Sequence, residues 1–223
     1  SVGLLSAILK KKGVLSIPLL GWQIPIITDE YHEKAKILNI DKKTIDSHFK
    51  KVDVIVLAGF QGINTRGFIT SLGRGGSDTT AVAIAAATKA KRCDIYTDVE
   101  GIYSTDPNIE PKAKKISKVS YEEMLEMSSM GAKVLHRRSV ELAMKNNLTL
   151  QVLSSLSNNE GTYVVDEKHL IEKEIVSGVS YSKNEAKITI SGIRDKPGIS
   201  AKIFGIMAGN NINVDMIVQN ISQ

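Results

Sequence analysis

Residues 52–60 read VDVIVLAGF, an unbroken apolar run of strand length. A strand with one wet face alternates polar and apolar residues. One that is apolar throughout is buried on both faces, as in parallel sheets covered by helices. CDIYTDV (93–99), LTLQVLS (148–154) and TYVV (162–165) carry further strand signatures. Helical segments separate them. KKTIDSHFK (42–50) spaces Ile45 and Phe49 on one helix face, and an alanine-rich helix runs from Asp78 to Ala90. Ser120-Tyr121-Glu122-Glu123 is a capping box that opens a helix through about Met130. Gly131 breaks it, and Lys133 to Lys145 forms the next. Strands alternating with helices predict an α/β fold, a mostly parallel sheet between helices.

The N-terminal part is less regular. Ser6 to Lys12 ends an amphipathic helix stopped by Gly13, and Val14 to Leu20 is a short strand that Pro18 confines to an edge. Residues 21–25 form a turn, AKILNI (35–40) a strand and GINTRGFIT (62–70) a hairpin. The composition changes at Asp166, where DEKHLIEKE (166–174) is charged and linker-like. AKITISGI (186–193) then alternates cleanly as a half-exposed strand, DKPG (195–198) turns, and ISAKIFGIMAGN (199–210) has the helical apolar period. INVDMIVQNIS (212–222) reads as a second strand. The expected organisation is an α/β domain over 1–165, a linker over 166–185 and the first part of a small α+β domain over 186–223. Two strands and one helix cannot bury both their faces, so the small domain is expected to need more chain than these residues supply.

Composition narrows the function classes. With 42% hydrophobic and 24% charged residues the chain has the makings of an ordinary globular core, and no stretch approaches the roughly 20 apolar residues that span a bilayer. The single Cys93 excludes an intrachain disulfide and reads as a small core residue of a buried strand. A reducing cytoplasm is the expected setting. The net charge of +5 comes from scattered lysines, including Lys10–Lys12, Lys42–Lys43 and Lys114–Lys115. No aromatics interleave with these runs, as stacking on nucleic acid would require. Neither a membrane nor a nucleic-acid partner is expected.

The chemistry concentrates in TSLGRGGSDTTAVAIA (70–85), where Gly73, Arg74, Gly75, Gly76, Ser77 and Asp78 stand at the mouth of a helix. Two readings are open. Glycines there serve a plain turn, or they let the backbone approach an anion that the unpaired N–H groups and positive end of the helix attract. The spacing is neither a Walker A loop nor a dinucleotide fingerprint. Arg74 favours the anion, because its planar fork matches carboxylate or phosphate. Thr97-Asp98 lies at the carboxyl end of a strand, where open α/β sheets bind ligands, and Tyr103 in the following loop offers a ring face or a hydroxyl. Lys133 at the opening of a helix opposes the dipole unless an anion such as a triphosphate is bound; otherwise it is a solvated surface lysine. His136 has no partner at metal-ligand spacing and is expected to be packed or on the surface. No metal ligand is assigned.

Four segments in this order, AGFQGIN, TSLGRGGSDTTA, YTDVEGIYSTDP and EMSSMGAKVLH, resemble the second half of the aspartokinase catalytic domain, which has the amino acid kinase fold. The tail from AKITISGI onward resembles the first ACT domain of the same family. The resemblance implies a transfer of the γ-phosphoryl of ATP, with Mg²⁺, to the side-chain carboxylate of L-aspartate, giving 4-phospho-L-aspartate. It places Arg74 on the aspartate carboxylate, with Gly75, Gly76 and Ser77 beside the substrate, and makes Asp78 the organiser of phosphoryl transfer. Thr97, Asp98 and Tyr103 would hold the nucleotide, and Lys133 would reach its phosphates. Asp195, Ile199, Ser200, Ala201, Asn213 and Asp215 would take an amino-acid effector, lysine or threonine, at an ACT interface of a homo- or hetero-oligomer.

The sequence also departs from the family pattern. No Lys-Phe-Gly-Gly-Thr-Ser segment, whose lysine and amides bind the transferring phosphate, occurs here. Leu4 of Gly3-Leu4-Leu5-Ser6 stands where a substrate-binding glutamate is usual, and Ile24-Pro25 where the family has Ala-Gly. Asn108 replaces an arginine and Arg137 a proline. The expectation is an aspartokinase incomplete at both ends. The alternative is a truncated relative, weak or inactive, that binds nucleotide or amino acid as a regulatory subunit. On either reading, incubation of this polypeptide alone with ATP, Mg²⁺ and aspartate is predicted to yield little hydroxylamine-trappable acyl phosphate. Turnover at ordinary enzyme rates, roughly 1 s⁻¹ or above, would show that the missing segment is dispensable.

Overall fold

The computed structural model describes residues 1–129, 134–170, 176–181, 186–192, 197–210, 212, 214, 217 and 218. The chain divides into two compact units, Ser1–Lys183 and Asn184–Gln223.

Helix α1 (Val2–Lys11) leads into β1 (Ser16–Leu19), and Gly13 between them turns at φ +82°. The contact that fastens α1 is polar: the Ser6 and Ser16 hydroxyls lie 2.9 Å apart, and Ser16 Oγ also donates to the Ser6 carbonyl. Strand β1 runs parallel to β4 (Val54–Leu57), from Ser16 opposite Val54 to Leu19 opposite Leu57. Among the described residues β1 pairs only with β4, the edge position that Pro18 requires. β4, expected to be buried on both faces, is half-buried at every position. The reason is its surroundings: among the described residues β1 is its only ladder neighbour, with α1 and α2 (Lys42–Phe49) packed on it.

A second sheet has the order β3-β2-β5-β6, built from β2 (Ile26–Thr28), β3 (Ile37–Ile40), β5 (Gln61–Asn64) and β6 (Ile69–Ser71). β5 and β6 form the expected hairpin, and β2 joins β5 in parallel. The third sheet, β7-β9-β10-β8, comprises β7 (Cys93–Thr97), β8 (Lys118–Ser120), β9 (Leu150–Ser154) and β10 (Thr162–Val165). β7 is parallel to β9 and β8 to β10, while β9 and β10 are antiparallel.

Helix α3 (Gly76–Thr88), α4 (Tyr121–Ser129) and α5 (Arg137–Lys145) cover this sheet. Val82, Ile95, Met124, Val140, Leu150 and Val152 meet in the main core. Cys93 joins them, and burial pushes its thiol up to about 11, as suits an inert core residue. The capping box forms as read: Ser120 N–H donates to Glu123 Oε2 at 2.9 Å, and Glu123 N–H donates to Ser120 Oγ at 3.1 Å. α5 opens at Arg137 instead of Lys133. His136 is extended there (φ −79°, ψ 133°) and acts as N-cap, its ring nitrogen accepting from Arg138 N–H and its carbonyl from Ser139 Oγ. These bonds fix the start of the helix where spacing alone could not.

In the second unit α6 (Ile199–Gly209) follows Gly198, close to its expected span. The strand expected over 186–193 does not form in 186–192. A lone strand has no ladder to stabilise it, and among the described residues it has no partner. Most of the strand expected over 212–222 lies outside the described residues.

One buried hydroxyl ties the loop after β7 to the sheet. Thr162 Oγ1 donates to the Ile116 carbonyl at 2.5 Å and accepts from Ile102 N–H at 2.9 Å. Thr162 is 0% exposed and Ile102 1%. Thr162→Val keeps the shape and strands the Ile102 N–H, at a cost of about 1–3 kcal/mol. The midpoint of urea unfolding should fall accordingly; an unchanged midpoint would mean that water replaces the hydroxyl.

Candidate active site

The glycine loop leaves β6 at Leu72, whose N–H donates to the Phe60 carbonyl at 2.9 Å. Gly73 and Gly75 both have left-handed φ, +75° and +70°. A β-carbon at Gly73 would run into the Glu33 carbonyl, and one at Gly75 into the His136 ring. At Gly76 it would come within 2.9 Å of Leu72 and Phe60 side-chain atoms. Close approach by the protein's own neighbours therefore accounts for these glycines. Arg74 and Ser77 are left exposed, while Asp78, in the first turn of α3, is half-buried.

Two helix N termini converge here. α3 begins at Gly76 with Gly75 as its cap, and the His136 ring that caps α5 lies on Gly75. Burial raises the carboxyl pKa of Asp78, opposed by the His136 charge and by the His136 N–H that it accepts. Arg138, in the first turn of α5, donates from Nη1 to the Leu72 carbonyl at 3.0 Å and from Nη2 to the Ala35 carbonyl at 2.6 Å. Sequence reasoning missed Arg138: both partners are backbone atoms distant in sequence, and no spacing encodes them. His136 is packed, as expected.

The second cluster lies where parallel β7 and β9 end together, with Thr97 opposite Ser154. Thr97 Oγ1 donates to Asp98 Oδ1 at 3.0 Å, and the Thr97 carbonyl accepts from the Ser155 N–H and hydroxyl at 2.8 and 2.9 Å. Asp98 is exposed. Tyr103, half-buried, bridges to Lys115 across the loop. Beside it a groove of about 410 Å³ runs between Ser104, Thr105, Lys114 and Lys115 on one side and Val176–Val179 on the other. A larger hollow of about 520 Å³, near Tyr121 and Asp166, contains none of the predicted site residues.

The structure thus brings Gly75, Asp78 and His136 together, and separately Thr97 with Asp98. Among the described residues no hydrogen bond joins the 73–78 loop to the 97–103 segment. Ile199, Ser200 and Ala201 occupy the first turn of α6 in the other unit. Lys133, Asp195, Asn213 and Asp215 lie outside the described residues.

The sequence profile of the amino acid kinase family matches residues 1–154. The chain belongs to the amino acid kinase family. An ACT-domain profile matches residues 188–223. The aspartate kinase of Pseudomonas putida is 50% identical over 223 residues, which are 100% of this chain and 54% of that protein. Two structures of E. coli aspartokinase III superpose with a TM-score of 0.72 over 98% of this chain and 50% of theirs. One is in complex with aspartate and ADP (R-state) at 29% identity, the other with lysine and aspartate (T-state) at 28%. This member of the amino acid kinase family spans about half the length of the relatives it matches.

Because burial holds the folded-state pKa of Asp78 above the ordinary value, the folded chain binds that proton more tightly than the unfolded chain. The favourable contribution is complete below the ordinary carboxylate pKa and is lost as pH rises through the folded-state pKa. Asp78→Asn is neutral throughout. It should raise the melting temperature at pH 7 and leave it unchanged near pH 3. A melting temperature that falls at pH 7 would mean that the bond from the His136 N–H outweighs burial.

Proposed function

We propose that the chain carries the aspartate kinase reaction: the γ-phosphoryl of ATP passes to the side-chain carboxylate of L-aspartate, giving 4-phospho-L-aspartate. This is the first step toward lysine, threonine and methionine, and diaminopimelate. The observation that carries the reading is the loop mouth, where the N termini of α3 and α5 meet over a partly buried Asp78 beside an exposed Arg74. Phosphoryl transfer asks for positioning and charge neutralisation more than covalent chemistry, and helix N termini attract anions.

Arg74 takes the substrate carboxylate through its planar fork, next to the amides of Gly75, Gly76 and Ser77. Asp78, raised toward protonation by burial, organises the transfer. Thr97, Asp98 and Tyr103 hold the nucleotide at the strand ends, and Lys133 reaches its phosphates. Mg²⁺ in such sites keeps waters and binds substrate phosphates with one or two carboxylates. Among the described residues no group of three His, Cys, Asp or Glu side chains gathers around a metal. Asp78, half-buried in the first turn of α3, is the carboxylate that would hold an ion arriving on ATP. When bound, that ion neutralises phosphate charge.

The proposed division is 1–165 for catalysis, 166–185 as linker and 186–223 as part of an ACT regulatory domain. That domain would take lysine or threonine through Asp195, Ile199–Ala201, Asn213 and Asp215 in an oligomer. The setting is the cytoplasm. No helix among the described residues is long and apolar enough to cross a membrane.

A chimera tests the reading. Residues 1–223 replace the aligned 54% of the P. putida enzyme, and acyl phosphate is trapped with hydroxylamine. Product should require both ATP and aspartate, and Asp78→Ala should lower kcat by about 100-fold or more, the scale of losing one preorganised electrostatic group. A preference for another acceptor, or an unchanged rate in Asp78→Ala, would overturn it.

A further inference from the structure

Arg138 stands in the first turn of α5, where a cation opposes the helix dipole. Its neighbour Arg137 is answered by Glu141, with Nε donating to Oε1 at 2.8 Å. Arg138 makes no ion pair among the described residues. Its fork instead spans two backbone carbonyls from separate segments, Leu72 at 3.0 Å and Ala35 at 2.6 Å. Both carbonyls belong to buried residues, Leu72 at 1% and Ala35 at 0% exposure. Ala35 N–H donates to the Ser71 carbonyl at 3.0 Å, so the two segments are already fastened to each other. Leu72 immediately precedes Gly73. The guanidinium therefore holds the stem of the 73–78 loop, while His136, two residues earlier, supports Gly75 with its ring and Asp78 with its N–H.

We propose that Arg138 is a positioning residue of the transfer loop: by bonding the Leu72 and Ala35 carbonyls it sets the loop against the start of α5 and so fixes where Arg74 and Asp78 stand. This rests on the proposed kinase reading for its catalytic consequence, though not for its geometry. A guanidinium offers five donors in a rigid fork, whereas a lysine ammonium is a point charge on a flexible stem. Lysine can therefore serve one carbonyl and leave the other unbonded. The nucleotide segment has separate anchors, Thr162 and Ser155, which Arg138 does not touch.

The consequence is a split between substrates. In the chimera, at a temperature where every variant is folded, Arg138→Met should lower kcat/KM for aspartate by about 10- to 100-fold, since small misplacements of reacting groups cost on that scale. KM for ATP should stay within about 2-fold. Arg138→Lys should fall between. A merely structural arginine would lower the melting temperature and leave both KM values and kcat alone, and that result would overturn the proposal. Amide hydrogen exchange on the full 223-residue chain gives a readout independent of activity. Arg138→Met should speed exchange in residues 72–79 by about 10-fold or more and leave 97–103 unchanged. Unchanged exchange at 72–79, or equal acceleration in both segments, would sink the positioning role. Faster exchange confined to 72–79, in a chain whose chimera makes no acyl phosphate, would leave the role standing and reject the kinase reading instead.

Discussion

The close approach of Gly75 to the His136 ring is the constraint on which the site depends. A β-carbon at residue 75 would occupy space the imidazole already fills, and the left-handed backbone there excludes one a second time. With that space free, α3 and α5 begin beside each other. Each brings the positive end of its dipole, equivalent to about half a charge, and Arg138 adds a full one. Asp78 is the carboxylate that meets this field. Its pKa is still raised, so partial burial outweighs the attraction. A partly buried carboxyl therefore stands where two helix N termini meet.

Much of the fold was legible because its causes are local. The capping box announces α4 through side chains three residues apart, and the β5–β6 hairpin and α3 follow from short patterns. The failures share a different cause. β2 and β8 are three residues each, too short to show a period, and exist because neighbouring strands bond to them. The start of α5 was read from a lysine next to a break, but the ring and carbonyl of His136 set it. The 186–193 segment has the alternation of a strand and lacks a ladder among the described residues. At the site the same division holds. The loop's residue types were readable, and so was its place at a helix mouth. What presses on the glycines, and what holds the loop from behind, come from residues 33, 136 and 138, which only folding brings near.

The two halves of the site have separate supports. The transfer loop leans on α5, and the strand-end segment on β9 and β10 through Ser155 and Thr162. Their common frame is the core in which Val82 of α3, Ile95 of β7 and Val140 of α5 meet. On the proposed kinase reading, two substrates would have to be held in a near-attack geometry. Among the described residues no hydrogen bond joins the two halves, and this apolar packing lies beneath both.

Thr162 also bears on the order in which the chain assembles during synthesis. Its partners, Ile102 and Ile116, precede it by 60 and 46 residues. A ribosome adding about 5–20 residues per second delivers Thr162 roughly 3–12 s after Ile102. For that interval the loop bearing Tyr103 must wait without its internal bolt, its buried amide bonded to water. The loop after β7 thus completes its hydrogen bonding only after His136 and Arg138, the supports of the glycine loop, have been added.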